Sequence, residues 1–333
     1  MLDWTDRHFR FMARLLCKNA RLYSEMIHAN ALIYGNQDAF LLHTDPQHNT
    51  ALQLGGSNPA ALAKACEIAQ HYDYCEVNLN CGCPSPKVQK GAFGACLMRE
   101  VALLADCLNA MANATTAEIT VKHRIGIDDD EDYSVVRDFV GEIAHKTPCK
   151  SFIIHARNAW LNGLSPKENR DIPPLKYDFV YRIKHDFTDL NIVINGGITD
   201  NHSINNHLQH ADGVMIGRSV YHNPLMMKDW DHLFFGCLEN SITDEALIEQ
   251  LYQYAVKEVA QQTPLRNIVK QWLGLFHGQG GVRLWRQALS DATLLAENKP
   301  DLILRAFEKM KETPAKLVEM DTVQGVVAQK SKT

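Results

Sequence analysis

The sequence predicts a (β/α)8 barrel that lacks its first strand, followed by a C-terminal all-helical domain. Three observations carry that expectation: short β-rich runs alternate with amphipathic stretches over the first two thirds of the chain, each run ends in polar or glycine residues, and the alternation stops near residue 240. Alternating strand and helix gives a parallel sheet, because parallel neighbours need a crossover between them. Polar groups gathered at the C-terminal ends of successive parallel strands describe the ligand-binding face of a barrel. A doubly wound sheet would use strand ends only at its switch point.

In order, the runs are "ARLYSEM" (20–26), "ALQLGG" (51–56), "YCEVNLN" (74–80), "EITVKHRIG" (118–126), "SFIIHAR" (151–157), "NIVINGG" (191–197) and "GVMIGR" (213–218). Between them, "PAALAKACEIAQHY" (59–72), "EVALLADCLNAMANA" (100–114) and "SVVRDFVGEIAHK" (134–146) place apolar residues three and four apart, as helices with one buried face do. Seven runs are one short of a barrel. The chain opens at "MLDWTD", which reads as the loop leaving a strand, so the strand expected to be missing is the first. A gap there leaves two unpaired sheet edges. Residues 1–240 are assigned to the barrel. Residues 241–322 read as helices: "TDEALIEQLYQYAVKEVAQQ" (243–262) with Thr243 or Asp244 as N-cap, "LRNIVKQWLGLFHG" (265–278), "VRLWRQALSDATLL" (282–295) and "PDLILRAFEKMKE" (300–312). Residues 323–333 read as a frayed tail.

Composition narrows the class. The chain has 333 residues, 46% hydrophobic and 22% charged, and no window approaches the roughly 18 consecutive apolar residues of a membrane span. The N-terminus has neither the apolar core of a signal peptide nor the character of a transit peptide, so a cytoplasmic location is expected. Nine cysteines, an odd number, argue for reduced thiols rather than a disulfide framework. The net charge of −5 is unevenly spread: residues 257–333 hold 12 Lys and Arg against 8 Asp and Glu, leaving −9 on residues 1–256. A basic C-terminal quarter on an acidic body points to a polyanionic partner.

Candidate ligand groups sit at the strand ends. Asn195, Gly196 and Gly197, then Gly217 and Arg218, supply backbone N–H groups and a guanidinium at the two loops where such barrels hold phosphate. A site of that kind takes a phosphorylated metabolite or a phosphate-tailed cofactor such as FMN. Lys122 and His155 interrupt apolar runs and face the same mouth, where a lysine stabilises negative charge and a histidine donates to a carbonyl. Gln53, Asn78, Asn80, Arg124 and Arg157 end strands in the same way. The acidic "DDDED" (128–132) precedes a helix whose N-terminal dipole accounts for it. In "NCGCP" (80–84) a zinc clasp would need a second ligand pair, which the other cysteines do not offer, and a disulfide two residues apart would be strained. No metal is expected. What remains is a thiol on the ligand-binding face, in a turn shaped by Gly82 and Pro84.

The stretches "NLNCGCPSPKVQKGAFGACLM" (78–98), "VKHRIGIDD" (121–129), "IHARNAWLNGLSPKENRDIPPL" (154–175), "INGGI" (194–198) and "MIGR" (215–218) resemble, in order and spacing, the tRNA-dihydrouridine synthases. The first and third look most like the A branch of the bacterial enzymes. The likeness runs from "MLDWTDRHFRF" to "QWLGLFHGQGGVRLWRQALS", nearly the whole chain. Two places depart from the family pattern: the opening strand that ends in "APM" is represented only by Met1, and "GQGGVR" (278–283) has glycine where proline is expected.

The resemblance implies an FMN-bound barrel, a helical tRNA-binding domain, and reduction of the C5–C6 bond of D-loop uridines at tRNA positions 20 and 20a with electrons from NADPH. It implies that Cys83 is the acid that protonates C5. A thiol with the usual pKa of about 8.5 is protonated at neutral pH and suits that task. By the same resemblance, Asn80 and Arg157 contact the uracil; Gln53, Lys122 and His155 contact the flavin; and Asn195, Gly196, Gly197, Gly217 and Arg218 hold its phosphate. The base is expected to flip out of its stack, and the basic helices, through Arg266, Lys270, Arg283 and Arg286, to grip phosphates. No glycine-rich dinucleotide fingerprint follows a strand, in keeping with transient use of NADPH. A monomer away from membranes is expected. The same residues leave open a flavin-dependent reductase of a free pyrimidine or enone, or a tRNA-binding protein without catalysis.

Overall fold

The computed structural model describes residues 1–43 and 49–312, so the tail expected over 323–333 and residues 313–322 of the expected helical domain lie outside the described residues. Strands β1 (Leu22–His28), β2 (Thr50–Gly55), β3 (Glu76–Cys81), β4 (Glu118–Arg124), β5 (Ser151–His155), β6 (Asn191–Asn195) and β7 (Gly213–Met215) form one parallel sheet in sequence order. The sheet curls into a half-barrel with helices outside it, the TIM-barrel-like architecture that the alternation predicts. Central strands are buried on both faces, as Phe152, Ile153 and Ile154 show in β5, which is why they read as unbroken apolar runs. The crossover helices Pro59–Ala69, Val101–Ala114 and Tyr133–Lys146 fall where the periodicity puts them. Asn58 and Asp132 cap the first and third, accepting from Ala61 N at 2.9 Å and Ser134 N at 2.7 Å.

β1 starts and ends two residues later than expected and slips register between Tyr23 and Met26. The cause is Ser24, whose hydroxyl accepts from Gln53 N at 2.9 Å and donates to Glu25 O at 2.7 Å, replacing ladder bonds by side-chain bonds. β1 and β7 end the sheet and do not pair with each other among the described residues. The N-terminal turn meets both sides of that opening. Asp3 N donates to the Glu25 carboxylate, and the Trp4 ring stacks on Tyr221, in the helix after β7, with centroids 4.3 Å apart. At the opposite end of the strands Glu76, almost fully buried, accepts from Arg21 at 2.6 Å, Tyr23 at 2.8 Å and Thr120. This is the closed floor, where polar groups serve stability.

The helix Asp244–Ala260 forms as expected, capped by Thr243, which accepts from Ala246 N at 3.1 Å. The expected helix over 265–278 does not. It ends at Val269, tightens into a 3-10 turn over Lys270–Trp272, and continues as irregular chain. Tertiary packing wins over local periodicity here: Trp272, Leu275 and Phe276 are all fully buried, and Gly274 lies where a Cβ would come within 2.3 Å of Tyr221 O. The stretch 282–295 is likewise two helices, Val282–Ala288 and Ala292–Ala296, because Asp291 caps the second by accepting from Thr293 N at 2.8 Å and Leu294 N at 3.1 Å.

The helical layer is bolted to the barrel through the helix Arg7–Leu16. Gln271 donates to Asp6 at 2.6 Å, Arg7 pairs with Glu258 at 2.5 Å, and Trp272 Nε1 donates to His8 O at 3.2 Å. Burial pushes the His8 imidazole down to about 3, so it stays neutral while bonding Tyr254 at 2.6 Å. No helix among the described residues is long and apolar enough to cross a membrane. Trp272 is the largest group in this joint, and its loss leaves a cavity between the two layers. Trp272→Ala should cost about 3–5 kcal/mol and lower the thermal midpoint by several degrees. A midpoint within about 1 °C of the parent's would show that the joint does not carry the fold.

Candidate active site

The C-terminal ends of β2 to β6 bring most of the predicted site residues together. Adjacent strands pair Gln53 with Asn78, Asn80 with Lys122, Arg124 with His155, and His155 with Asn195. Parallel register therefore stacks these side chains in tiers. In the lowest tier Gln53 Nε2 donates to Asn78 Oδ1 at 2.8 Å, and Asn78 donates to Thr120 at 2.7 Å. Asn78 is fully buried, which makes it a wall residue below the mouth.

Asn80 does two things. Its Nδ2 donates to Gln53 Oε1 at 3.0 Å, while its Oδ1 accepts from Gly82 N at 3.2 Å and Cys83 N at 3.1 Å. The amide oxygen expected to meet a ligand is thus used to fold the turn that carries Cys83, leaving one amide hydrogen to point elsewhere. Cys83 is half-buried and follows Gly82, whose carbonyl accepts from Arg124 Nε at 3.1 Å. Cys81, one step back on the strand, is fully buried, and burial pushes its thiol far above the ordinary range. The two thiols occupy different environments, which is what separates a packing cysteine from a reactive one.

Lys122 donates from Nζ to Asn195 Oδ1 at 2.8 Å, and Asn195 in turn donates to Met215 O at 2.7 Å. Burial, with Arg124 adding to it, lowers the Lys122 ammonium from its usual 10.5 to about 7, against a smaller opposing pull from Cys83. Burial first, then Arg124, Lys122, Arg157 and Arg218, hold His155 well below the usual imidazole range, so the ring is neutral. Its Nδ1 is buried with no partner among the described residues. Gly196 and Gly197, at φ +117° and +70°, pass close by: a Cβ on Gly196 would come within 3.1 Å of the His155 ring, and one on Gly197 within 2.6 Å of Leu175. Only glycine fits that backbone.

Arg157 donates from Nε to Pro173 O at 2.6 Å and leaves Nη1 buried without a partner among the described residues. Arg218 does not stand free at its glycine. It pairs with Asp171 at 2.9 Å, and Gly217 instead lies against Met1. Two more arginines complete the cluster: Arg124, which the sequence places among the polar strand ends, and Arg170, which sequence reasoning missed. Arg124 is buried and donates to Gly82 O at 3.1 Å, Asn158 O at 2.8 Å and Asn169 O at 3.0 Å. Arg170, inside "KENRD", has a buried Nε without a partner among the described residues, and burial followed by Arg218 lowers its pKa. Two-residue spacing puts Lys122 and Arg124 on one face of β4, a signal that was available. Arg170 sits on a loop whose path no periodicity reports.

Three other expectations find their places. In the acidic run, Asp132 caps its helix, while Asp128 pairs with Arg99 at 3.0 Å and Asp130 accepts from Ile127 N at 2.9 Å, so these carboxylates build the loop after β4. Among the described residues no cluster of three His, Cys, Asp or Glu side chains is set to hold a metal ion. Arg266, Lys270, Arg283 and Arg286 are exposed on the helical layer, apart from the mouth, and none is in an ion pair among the described residues. The mouth therefore gathers Lys122, Arg124, Arg157, Arg170 and Arg218 around a neutral histidine and a thiol. The carboxylate that meets them, Asp171, is taken up by Arg218. Buried cations with spare donors suit an anionic, acceptor-rich ligand.

Comparison with known proteins bears on what that ligand is. The sequence profile of one family, Dihydrouridine synthase (Dus), matches residues 1–312. A protein of Xanthomonas campestris pv. campestris named tRNA-dihydrouridine(20/20a) synthase is 49% identical over 291 residues, covering 87% of this chain and 86% of that protein. One of the same name from Escherichia coli is 49% identical over 291 residues, covering 87% and 84%. A third, from Xanthomonas axonopodis pv. citri, is 48% identical over 316 residues, covering 93% and 92%. On a profile match that spans every strand and the helical layer, the chain belongs to the dihydrouridine synthase family.

Proposed function

We propose that this protein reduces the C5–C6 bond of uridines at positions 20 and 20a of tRNA, with FMN as its bound cofactor, NADPH as electron donor and Cys83 as the acid. The observation that carries the reading is the turn at Asn80, which fixes a half-buried thiol next to Gly82, the residue whose carbonyl accepts from Arg124, in a mouth where Lys122, Arg124, Arg157, Arg170 and Arg218 gather. The names of the relatives support the substrate.

The residues fit the cofactor. FMN is an anion with a flat, acceptor-rich ring, and the mouth offers partnerless buried donors on Arg157 and Arg170, a buried imidazole nitrogen on His155, and glycine backbone at 196 and 197. Lys122, His155 and Gln53 would line the ring, and Asn195, Gly196, Gly197, Gly217 and Arg218 the phosphate, with Arg218 shared between phosphate and Asp171. The chemistry FMN supplies when bound is the electron pair that reduces the double bond. The chain's own part is to orient and to move a proton. Asn80, through its remaining amide hydrogen, and Arg157 hold the uracil edge. Lys122 and Arg124 oppose the negative charge that develops on the carbonyl conjugated to the reacting bond. Cys83 gives its proton to C5, and the thiolate left behind faces the same two cations until solvent returns a proton. A uridine reaches this depth only when flipped from its stack. All these groups come from one chain, so a monomer suffices, and a tRNA substrate places the work in the cytoplasm.

Two outcomes test this. Cys83→Ala should keep its flavin absorbance yet make dihydrouridine about 10²–10⁴-fold more slowly; activity within a few-fold of the parent removes the acid assignment. The second concerns Lys122, whose ammonium is lowered from 10.5 to about 7 in the ligand-free mouth. An anionic ligand favours the charged form, so binding takes up a proton above pH 7 and FMN affinity falls as pH rises from 7 to 9. In Lys122→Met that fall should vanish and affinity be weaker at pH 7. Fluorescence titration of flavin-free protein reads both, and parallel pH profiles would place Lys122 away from the flavin.

A further inference from the structure

The segment that carries Cys83 leaves β3, runs through the short helix Pro86–Lys90, and turns back as the 3-10 stretch Gly94–Arg99. A cysteine side chain has one torsion between backbone and sulfur, so the peptides on either side of it set the place of the thiol. Both are held. Cys83 N donates to Asn80 Oδ1 at 3.1 Å, and Cys83 O accepts from Ala95 N at 3.0 Å. The returning chain passes so close that a Cβ on Gly94, at φ +69°, would stand 2.6 Å from Cys83 O. The next carbonyl, Pro84 O, accepts from Gln89 Nε2 at 2.8 Å.

The same nitrogen donates its second hydrogen across the mouth, to Leu161 O at 2.8 Å, 72 residues on in the loop after β5. Both donors of the amide are thereby used. Leu161 belongs to a fixed platform. Its N–H donates to Asp128 Oδ1 at 2.8 Å, and the other oxygen of Asp128 pairs with Arg99 at 3.0 Å, where the returning stretch ends. Trp160, one step earlier, is clasped by the buried Asn169, which accepts from its N–H at 2.7 Å and donates to its carbonyl at 2.9 Å. The Cys83 segment is thus fastened to this platform at Gln89 and at Arg99, and Gln89 grips the residue next to the thiol. Val88 and Phe93 are buried and anchor the body of the segment independently of the amide.

We propose that Gln89 is a positioning residue for the proton transfer. Acting through Pro84 and the platform at Leu161, it fixes the Cys83 thiol at the depth and angle from which it protonates C5. This rests on Cys83 being the acid and goes further. Displacing a reacting group by about 1 Å costs on the order of 10²-fold in rate. Asn80 shares the task from the upstream side but is also assigned to the uracil. The Gln89 amide bonds two carbonyls, neither of them in a mouth side chain, so its effect is separable from substrate binding.

The experiment uses the FMN-loaded full chain and a tRNA transcript that the parent modifies. Gln89→Leu removes both donors, and Gln89→Glu keeps the shape while turning carboxylate oxygens toward the two carbonyls. Each is made alone and together with Cys83→Ala. Single-turnover formation of dihydrouridine by dithionite-reduced enzyme at saturating tRNA isolates the step at uracil. Flavin content and thermal midpoint verify folding, and mass spectrometry follows alkylation of Cys83 by iodoacetamide in the absence of tRNA. With the thiol present, both variants should react about 10–10²-fold more slowly at unchanged tRNA affinity. Without it, neither should slow the reaction further by more than about twofold, because residues that act as a unit are not additive. Alkylation of Cys83 should quicken as the turn loosens. If Cys83→Ala alone reacts at a rate near the parent's, the acid reading falls and the role of Gln89 with it. With Cys83→Ala slow, three results each overturn the proposal: a parent-like rate in either Gln89 variant, equal slowing with and without the thiol, or alkylation at the parent's rate.

Discussion

The guanidinium of Arg124 is the interaction on which the mouth depends. It lies inside the wall of the half-barrel and donates to three backbone carbonyls, those of Gly82 after β3, Asn158 after β5 and Asn169 beyond it. No helix or sheet ladder among the described residues holds these loops to one another, so Arg124, together with Gln89, which donates to Leu161 O at 2.8 Å, ties the segment carrying Cys83 to the segment carrying Arg157 and Arg170. Gly82 is then gripped from both sides, its carbonyl by Arg124 and its N–H by Asn80. Because the partners are carbonyls and not a carboxylate, the donors are satisfied while the charge is not neutralised. Burial lowers this arginine to about 10, so at neutral pH it stays charged. The same bond network that shapes the site thus gives the site its field.

That field explains the neighbours. Lys122 is pushed toward neutrality and His155 is held neutral, because each would add a like charge to a desolvated place. A second constraint, the joint at Asp6, His8, Gln271 and Trp272, fixes the helical layer relative to this mouth. On the tRNA reading proposed above, it matters because the substrate would be gripped at a distance from the atom that reacts. A mobile layer would surrender the orientation that such grip confers.

Much of this was legible in the sequence, and the failures have a common cause. Strand number, order and parallel sense follow from alternation, and the mouth follows from polar groups at strand ends; both are local signals. What sequence could not show is how the polar groups divide their hydrogen bonds. Gln53 and Asn80, read as two ligand contacts, also hold each other; Asn78, read as a strand-end group, is a buried strut; Arg218 also pairs with Asp171, on a loop 47 residues earlier. The helix expected over 265–278 fails for the same reason, since its periodicity is met by burying Trp272 and Phe276 through a turn, not by a continuous helix. In each case a long-range contact adds what a local preference cannot show.

A mouth lined by crowded cations is an odd thing for a fold to keep, since like charges out of water oppose folding. The arrangement makes sense if the resting state is the occupied one. A ligand that binds the folded chain and not the unfolded one stabilises it in proportion to the logarithm of its concentration over its dissociation constant. An anion among Lys122, Arg157 and Arg170 also relieves the repulsion that makes the empty site costly. Cofactor affinity and ligand-free instability then have one origin. The buried nitrogens on His155, Arg157 and Arg170 that have no partner among the described residues are the residue of that exchange, because groups satisfied within the protein would be unable to bind anything else.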